Sequence, residues 1–174
     1  MIIPIWKKIG QSTHLLAQKM GEKIAAETKS PKDKKATHTG TLDPMAEGIV
    51  VVLTGEDRFK KADFSNWKKT YEFEILFGVD TDSLDLLGLI TKTIDPKNSR
   101  NLQKENINQL TKKLSTIIPY FIGSQTQTQP KFSAQRVGGK SGFDLAKQKQ
   151  TFEIKENKIN IYYIKILNYK SIPI

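Results

Sequence analysis

Three stretches of this sequence bring together residue types that could do chemistry. The first, residues 38–48, reads His-Thr-Gly-Thr-Leu-Asp-Pro-Met-Ala-Glu-Gly and holds one short carboxylate, Asp43, directly before Pro44. Proline disfavours the helical region for the residue before it, so Asp43 is expected extended in a loop. Gly40 and Gly48 bracket the acid, and residues without a Cβ let a second backbone or a ligand come close. The pattern is that of a shaped loop presenting one acid, although Asp-Pro also starts ordinary turns. In the second stretch, residues 78–88, Asp80, Asp82 and Asp85 stand close enough to suggest oxygen ligands for a hard cation. A calcium loop needs glycine at its sixth position and Glu at its twelfth; counted from Asp80 these are Asp85 and Thr91, so the acids read as loop structure and no metal site is expected. The third, Gly139-Lys140-Ser141, ends like a phosphate-binding loop. The glycine required five residues earlier is Ala134, and residues 124–130 are polar where a buried strand should lead in, which argues against nucleotide hydrolysis.

The elements that must position these residues follow from periodicity. Residues 49–53, Ile-Val-Val-Val-Leu, read as a strand buried on both faces that anchors the Asp43 loop to a core. Residues 2–6 read as an edge strand, because Pro4 lacks the N–H a central strand needs. Ser12 or Thr13 is a good N-cap for a helix whose Leu16, Met20 and Ile24, with Leu15 and Ala25, are expected in the core. Residues 27–35 form a basic loop into the Asp43 segment, and a short helix is expected from about Gly55 to Phe64, with Phe64 and Trp67 packing. Residues 71–77 alternate Glu with apolar residues at their start, the period of a half-buried strand; residues 89–94 are the next strand, ended by Asp95-Pro96-Lys97-Asn98. Residues 104–117 carry Ile107, Leu110, Leu114 and Ile117 at helical spacing, an amphipathic helix packed on the sheet and stopped by Pro119. Residues 151–154 and 158–167 read as the final strands.

At 174 residues the chain suits one domain with a real core. It has no cysteine, which removes disulfides, thiolate metal sites and cysteine nucleophiles. No stretch approaches the ~20 apolar residues of a membrane span, and the N-terminus is too short in apolar residues for a signal peptide, so a cytoplasmic protein is expected. Lys and Arg number 28 against 18 Asp and Glu, a net charge of +10. Such an excess suits a polyanion, though a generally lysine-rich composition would give it too. Placement adds weight: Lys32, Lys34 and Lys35 precede the Asp43 loop, Arg58, Lys60 and Lys61 follow it, and Lys68 and Lys69 precede Tyr71.

The eleven residues from His38 closely resemble the signature of the TruB-type pseudouridine synthases, the bacterial tRNA pseudouridine-55 synthases. Other stretches are similar to the same family. Lys7 to Thr13 resembles its Lys-Pro-x-Gly-x-(Ser/Thr)-Ser element, with Lys8 in the place of proline; Thr54-Gly55-Glu56 and Lys69-Thr70-Tyr71 resemble two further elements. Residues 78–88 resemble its Gly-x-x-Thr-Asp-Thr-x-Asp-x-x-Gly turn. Residues 130–147 resemble a long motif, with Phe132, Arg136, Phe143, Asp144 and Lys147 as mild substitutions. The resemblance implies an α+β fold, a mixed, largely antiparallel sheet flanked by helices, with residues 1–174 as the N-terminal and central part of the catalytic domain. It implies isomerisation of a uridine in the tRNA T loop without a cofactor, with Asp43 as the catalytic nucleophile. His38 would take the vacated place of the flipped nucleotide, and Tyr71 would stack on the target base, since an unstacked base needs a new aromatic surface. Lys69, Arg136 and Lys140 are candidate RNA contacts. The T arm of tRNA is the expected partner, with no obligatory protein partner and a monomeric chain.

One departure concerns the end of the chain. The family pattern continues through a Gly-Thr-Tyr-Ile-Arg strand, whose arginine pairs with the catalytic acid, and often into a small RNA-binding domain; neither is found by Ile174. The chain therefore reads as truncated on its C-terminal side. The rival reading is a non-catalytic tRNA-binding or tRNA-folding protein, or an inactive fragment. A guide-RNA-dependent synthase of the same superfamily is a lesser alternative.

Overall fold

A chain this rich in lysine has few places to build a core, and the run Ile49-Val50-Val51-Val52-Leu53 is its natural centre. In the computed structural model, which describes residues 1–95, 107–130, 132–133 and 136–169, that run becomes β3 (Gly48–Thr54), flanked by β1 (Ile2–Lys7) and β2 (Ala36–His38) in a sheet of order β1-β3-β2. Both pairings are antiparallel, with Pro4 opposite Val51 and His38 opposite Val52. Pro4 thus lies on an edge strand, where its missing N–H costs no ladder bond. Val50, Val52, Leu53 and Thr54 are buried, whereas Ile49 is 68% exposed, so the two-sided burial expected of the run begins only at Val50.

Helix α1 (Thr13–Thr28) covers this sheet. Ser12 caps it, its hydroxyl accepting the Leu15 N–H. The buried face is Thr13, Ala17, Gly21 and Ile24, and Ala17 packs with Val50 and Val52 alongside Ile5, Met20, Ala36 and Leu42. Leu15, expected in the core, is 55% exposed. The reason is close approach: a Cβ on Gly21 would stand 2.5 Å from the Lys34 carbonyl oxygen and 2.9 Å from the Ala36 Cβ. Small residues let the helix lie against the backbone, and the larger apolar residues are left toward its sides. A 3-10 turn (Pro31–Lys34) leads into β2; after β3 a second (Gly55–Lys60) runs into the short α2 (Lys61–Ser65). Phe64 and Trp67 pack ring to ring, centroids 4.7 Å apart.

The chain divides into two compact units, Met1–Phe73 and Glu74–Ile174. In the second, β4 (Val79–Thr81) pairs with β5 (Ile90–Thr93), and β6 (Gly123–Thr128) with β9 (Glu156–Ile161). Helix α3 (Ile107–Ile117) passes into a 3-10 turn containing Pro119. Leu110 and Leu114 are half-buried and Ile117 is exposed, so its apolar stripe is only partly covered. A two-residue ladder of β7 (Arg136–Val137) and β8 (Lys140–Ser141) precedes α4 (Gly142–Lys147).

The fold is α+β, and every strand pair among the described residues is antiparallel. Two expected strands are corrected. Residues 71–77 form no strand, and their apolar side chains are exposed; alternation marks a surface that could be half-buried, but a strand also needs a ladder partner. Residues 151–154 are irregular, and the expected strand at 158–167 is instead Glu156–Ile161. The turn expected at residues 96–98 and the helix start at 104–106 lie outside the described residues, as do Lys131, Ala134 and Gln135. No helix among the described residues is long and apolar enough to cross a membrane.

Candidate active site

Antiparallel pairing of β2 with β3 leaves residues 39–47 as the connecting loop, with Asp43 in its middle. An Ala46 N–H to Asp43 carbonyl bond of 3.0 Å closes a turn with Pro44 in its second position, where proline's fixed φ is favoured. Leu42 turns inward against the Ala17, Val50 and Val52 core, while Asp43 itself is exposed. Its carboxylate forms no ion pair among the described residues. No group of three His, Cys, Asp or Glu side chains among the described residues is arranged to hold a metal ion.

The loop backbone is held from behind by residues 7–13. Lys7 is 0% exposed, and its ammonium donates to the carbonyls of Ala46 (2.7 Å), Asp43 (3.0 Å) and Lys8 (3.3 Å). An ammonium has three protons and no acceptor, so three carbonyls satisfy it, as a buried charge requires. The Gly10 N–H donates to the Pro44 carbonyl at 2.7 Å. Gly10 has φ +81°, the value a type II turn asks of its third residue, and the turn closes from Gln11 N–H to the Lys8 carbonyl at 3.2 Å. Thr13 uses its hydroxyl twice, donating to the Leu42 carbonyl at 3.1 Å and accepting the Leu42 N–H at 3.2 Å. Three consecutive carbonyls, of Leu42, Asp43 and Pro44, are therefore each held by the N-terminal element, with the Asp43 side chain left in solvent.

His38 closes β2 and is half-buried, its Nδ1 3.0 Å from the Gly40 carbonyl. A carbonyl can only accept, so Nδ1 carries the proton and Nε2 is bare in the neutral ring. Burial lowers its proton affinity most; the Gly40 carbonyl opposes this, and Lys61 and His14 lower it further. The ring is thus held neutral at pH 7.

Of the other predicted residues, Lys69 reaches the loop. A Cβ on Gly40 would lie 3.9 Å from Lys69 Cε, and the ammonium donates to the carbonyls of Ser65 (2.7 Å) and Trp67 (3.0 Å) at the end of α2. Tyr71 lies two residues on in an irregular segment and is 66% exposed. Arg136 and Lys140 belong to the second unit, on the β7–β8 turn, where Arg136 Nη1 donates to the Gly139 carbonyl at 3.2 Å. In the same unit the acids of residues 80–85 serve their turn: Asp82 Oδ1 accepts the Leu89 N–H at 2.8 Å and Asp85 Oδ1 the Leu87 N–H at 2.9 Å. Sequence reasoning missed Lys7 and Thr13 as site residues, although both fall in a stretch with a recognisable motif.

The model of the N-terminal domain of TruB family pseudouridylate synthases matches residues 28–173. Among similar curated proteins, the tRNA pseudouridine synthase B of Aquifex aeolicus is 33% identical over 137 residues, 79% of this chain and 44% of the relative. That of Mycoplasma mobile is 38% identical over 137 residues, 78% of this chain and 44% of the relative. That of Treponema denticola is 32% identical over 166 residues, 95% of this chain and 41% of the relative. The chain thus spans less than half the length of these relatives.

Proposed function

We propose, since the chain belongs to the TruB family of pseudouridylate synthases, that it carries the nucleophile-bearing part of an enzyme that isomerises a uridine of the tRNA T loop to pseudouridine. In this reading residues 1–174 are the N-terminal and central part of the catalytic domain. The Asp43 carboxylate, ionised at neutral pH, bonds covalently to the nucleoside and later leaves. The N1 to C1' bond breaks, the base turns, C5 bonds to C1', and the proton lost from C5 is balanced by one gained at N1. No oxidant or cofactor is needed. His38 takes the place of the extruded nucleotide as a neutral ring, and Tyr71 stacks on the base. Lys69, Arg136 and Lys140 contact the RNA. The chain works as a cytoplasmic monomer without an obligatory protein partner.

The observation that supports this most is the division of labour at Asp43: a backbone carbonyl gripped by Lys7 at 3.0 Å and a carboxylate open to solvent. Precise placement of a reacting group is a large part of catalysis. The test is release of label from a tRNA transcript carrying tritium at uridine C5. Asp43→Asn should abolish release while leaving RNA affinity within about threefold, a change under ~0.7 kcal/mol. Release at the wild-type rate by the variant refutes the role, and binding without release by the wild-type chain assigns it a binding function.

A further inference from the structure

Exposed apolar side chains are common on this chain, so exposure alone sets none of them apart. Trp67 differs in how it is held. It follows the end of α2, its N–H donates to the Phe64 carbonyl at 3.2 Å, and its ring rests against that of Phe64 with 4.7 Å between centroids and 51° between planes. Its own carbonyl accepts from the Lys69 ammonium at 3.0 Å, and that ammonium also donates to the Ser65 carbonyl at 2.7 Å. The stem of the same lysine lies against the Asp43 loop, since a Cβ on Gly40 would stand 3.9 Å from Lys69 Cε. One side chain thus ties the Trp67 backbone to the loop that presents Asp43, while the indole remains 58% exposed. Asp43 and Glu47 in the loop and Asp63 on α2 are exposed as well, so charge does not single this place out. A ring face needs no net charge to take a base.

Resting on the reading of the chain as an RNA-modifying enzyme, we propose that Trp67 is a stacking platform for an unpaired base of the RNA loop other than the target uridine. Single-stranded bases are taken up on aromatic faces, and every base has a face to offer, so the contact gives affinity and position without reading sequence. Turning the target out of its stack leaves a neighbouring base without a partner, and an indole fixed beside the reacting loop supplies a replacement surface. The Phe64 ring and the two backbone bonds hold Trp67 before RNA arrives, so little ordering is left for binding to impose. Trp67 touches the RNA and not the reacting atoms; Lys69, in bridging it to Gly40, acts as a positioning residue.

The chain's other tryptophan is Trp6, so in Trp6→Phe the indole fluorescence reports Trp67 alone. Adding a T-arm stem-loop RNA should quench it, and the paired stem without its loop should not. This measurement leaves Trp67 in place and stands whatever its replacement does to folding. Trp67→Ala should bind the stem-loop about 5- to 150-fold more weakly. The slope of log affinity against log salt should stay unchanged, because no phosphate contact is lost, and Trp67→Tyr should keep most of the affinity. In a series of stem-loops with one abasic nucleotide each, one loop position other than the target should weaken binding by the wild-type chain and leave that of Trp67→Ala unaffected. RNA binding without quenching, equal quenching by the paired stem, wild-type affinity in Trp67→Ala, or the absence of such a position overturns the inference alone. A wild-type chain that binds no RNA overturns the reading it rests on as well, while binding without label release defeats only the enzymatic reading.

Discussion

Replacing Lys7 with methionine keeps most of the side-chain volume and deletes the ammonium. In the wild-type structure that group answers three carbonyls at 2.7, 3.0 and 3.3 Å. Hydrogen bonds to charged groups are worth about 1.5–3 kcal/mol each, but burying the ammonium costs several kcal/mol, so most of the gross gain cancels. In Lys7→Met the Asp43 carbonyl keeps its bond from the Ala46 N–H and the Lys8 carbonyl its bond from the Gln11 N–H, while the Ala46 carbonyl loses the ammonium that held it. One carbonyl near the surface that can turn toward water loses less than the ~1–3 kcal/mol of a fully buried one, giving a net stability loss of about 1–2 kcal/mol. Loop order should suffer more specifically. A local destabilisation of about 1.4 kcal/mol raises amide exchange tenfold where opening is local, and displacing a reacting group by about 1 Å can cost 100-fold in turnover. The assay is amide hydrogen exchange at Leu42, Ala46 and Gly10, read beside urea unfolding and label release. Exchange should rise at least tenfold at these three amides while core amides of β3 change only by the global loss, and kcat should fall far more than KM rises. Wild-type protection at all three amides refutes the idea that Lys7 holds the loop, whether or not the chain turns over.

Thr13→Val is nearly isosteric and removes a buried hydroxyl that both donates to and accepts from Leu42; unfolding in urea should show a loss of about 1–3 kcal/mol, and an unchanged midpoint counts against the reciprocal bond. Gly21→Ala would raise helix propensity by up to ~1 kcal/mol, yet its Cβ meets the Lys34 carbonyl oxygen at 2.5 Å. The clash should win by about 1–3 kcal/mol, so a variant as stable as wild type would contradict the close packing of α1. His38 has a folded pKa below its ordinary 6.5, so the unfolded chain binds the proton more readily. Stability should therefore fall as pH drops through 6.5 and level off below the folded value; His38→Gln should remove this component from the urea midpoint measured across pH 7.5 to 5, and an identical pH dependence in the variant would exclude it.

The sequence announced the parts of this fold that depend on local chemistry. Pro4 marked an edge strand, the Val50 to Leu53 run a central one, Ser12 a helix cap and Asp43-Pro44 a turn, because each rests on a constraint a single residue imposes. Features needing a distant partner were less legible. Residues 71–77 have the alternation of a strand and no ladder among the described residues. Large apolar side chains gave α1 its visible period, while the contact face is set by Ala17 and Gly21, whose smallness carries little hydrophobic signal. The loop's fastening escaped for another reason: it runs from side chains to backbone carbonyls, and a carbonyl is the same at every residue.

Lys8 shows how such fastening absorbs a change of residue. The family's element has proline here, which restricts the chain ahead of the Gly10 turn and supplies no N–H. Lysine returns an N–H at this position and frees φ, both of which would loosen the turn were nothing else to hold it. The Lys8 N–H is taken by the Gln11 side-chain oxygen at 2.8 Å, while the Gln11 N–H returns to the Lys8 carbonyl at 3.2 Å. Two bonds between the same pair of residues thus restrain the four-residue turn that proline would have stiffened covalently. The turn still presents the Gly10 N–H to the Pro44 carbonyl at 2.7 Å, the contact on the far side of Asp43 from Thr13. What matters at position 8 is the direction in which the next amides point, and a polar pair can set it as well as a ring.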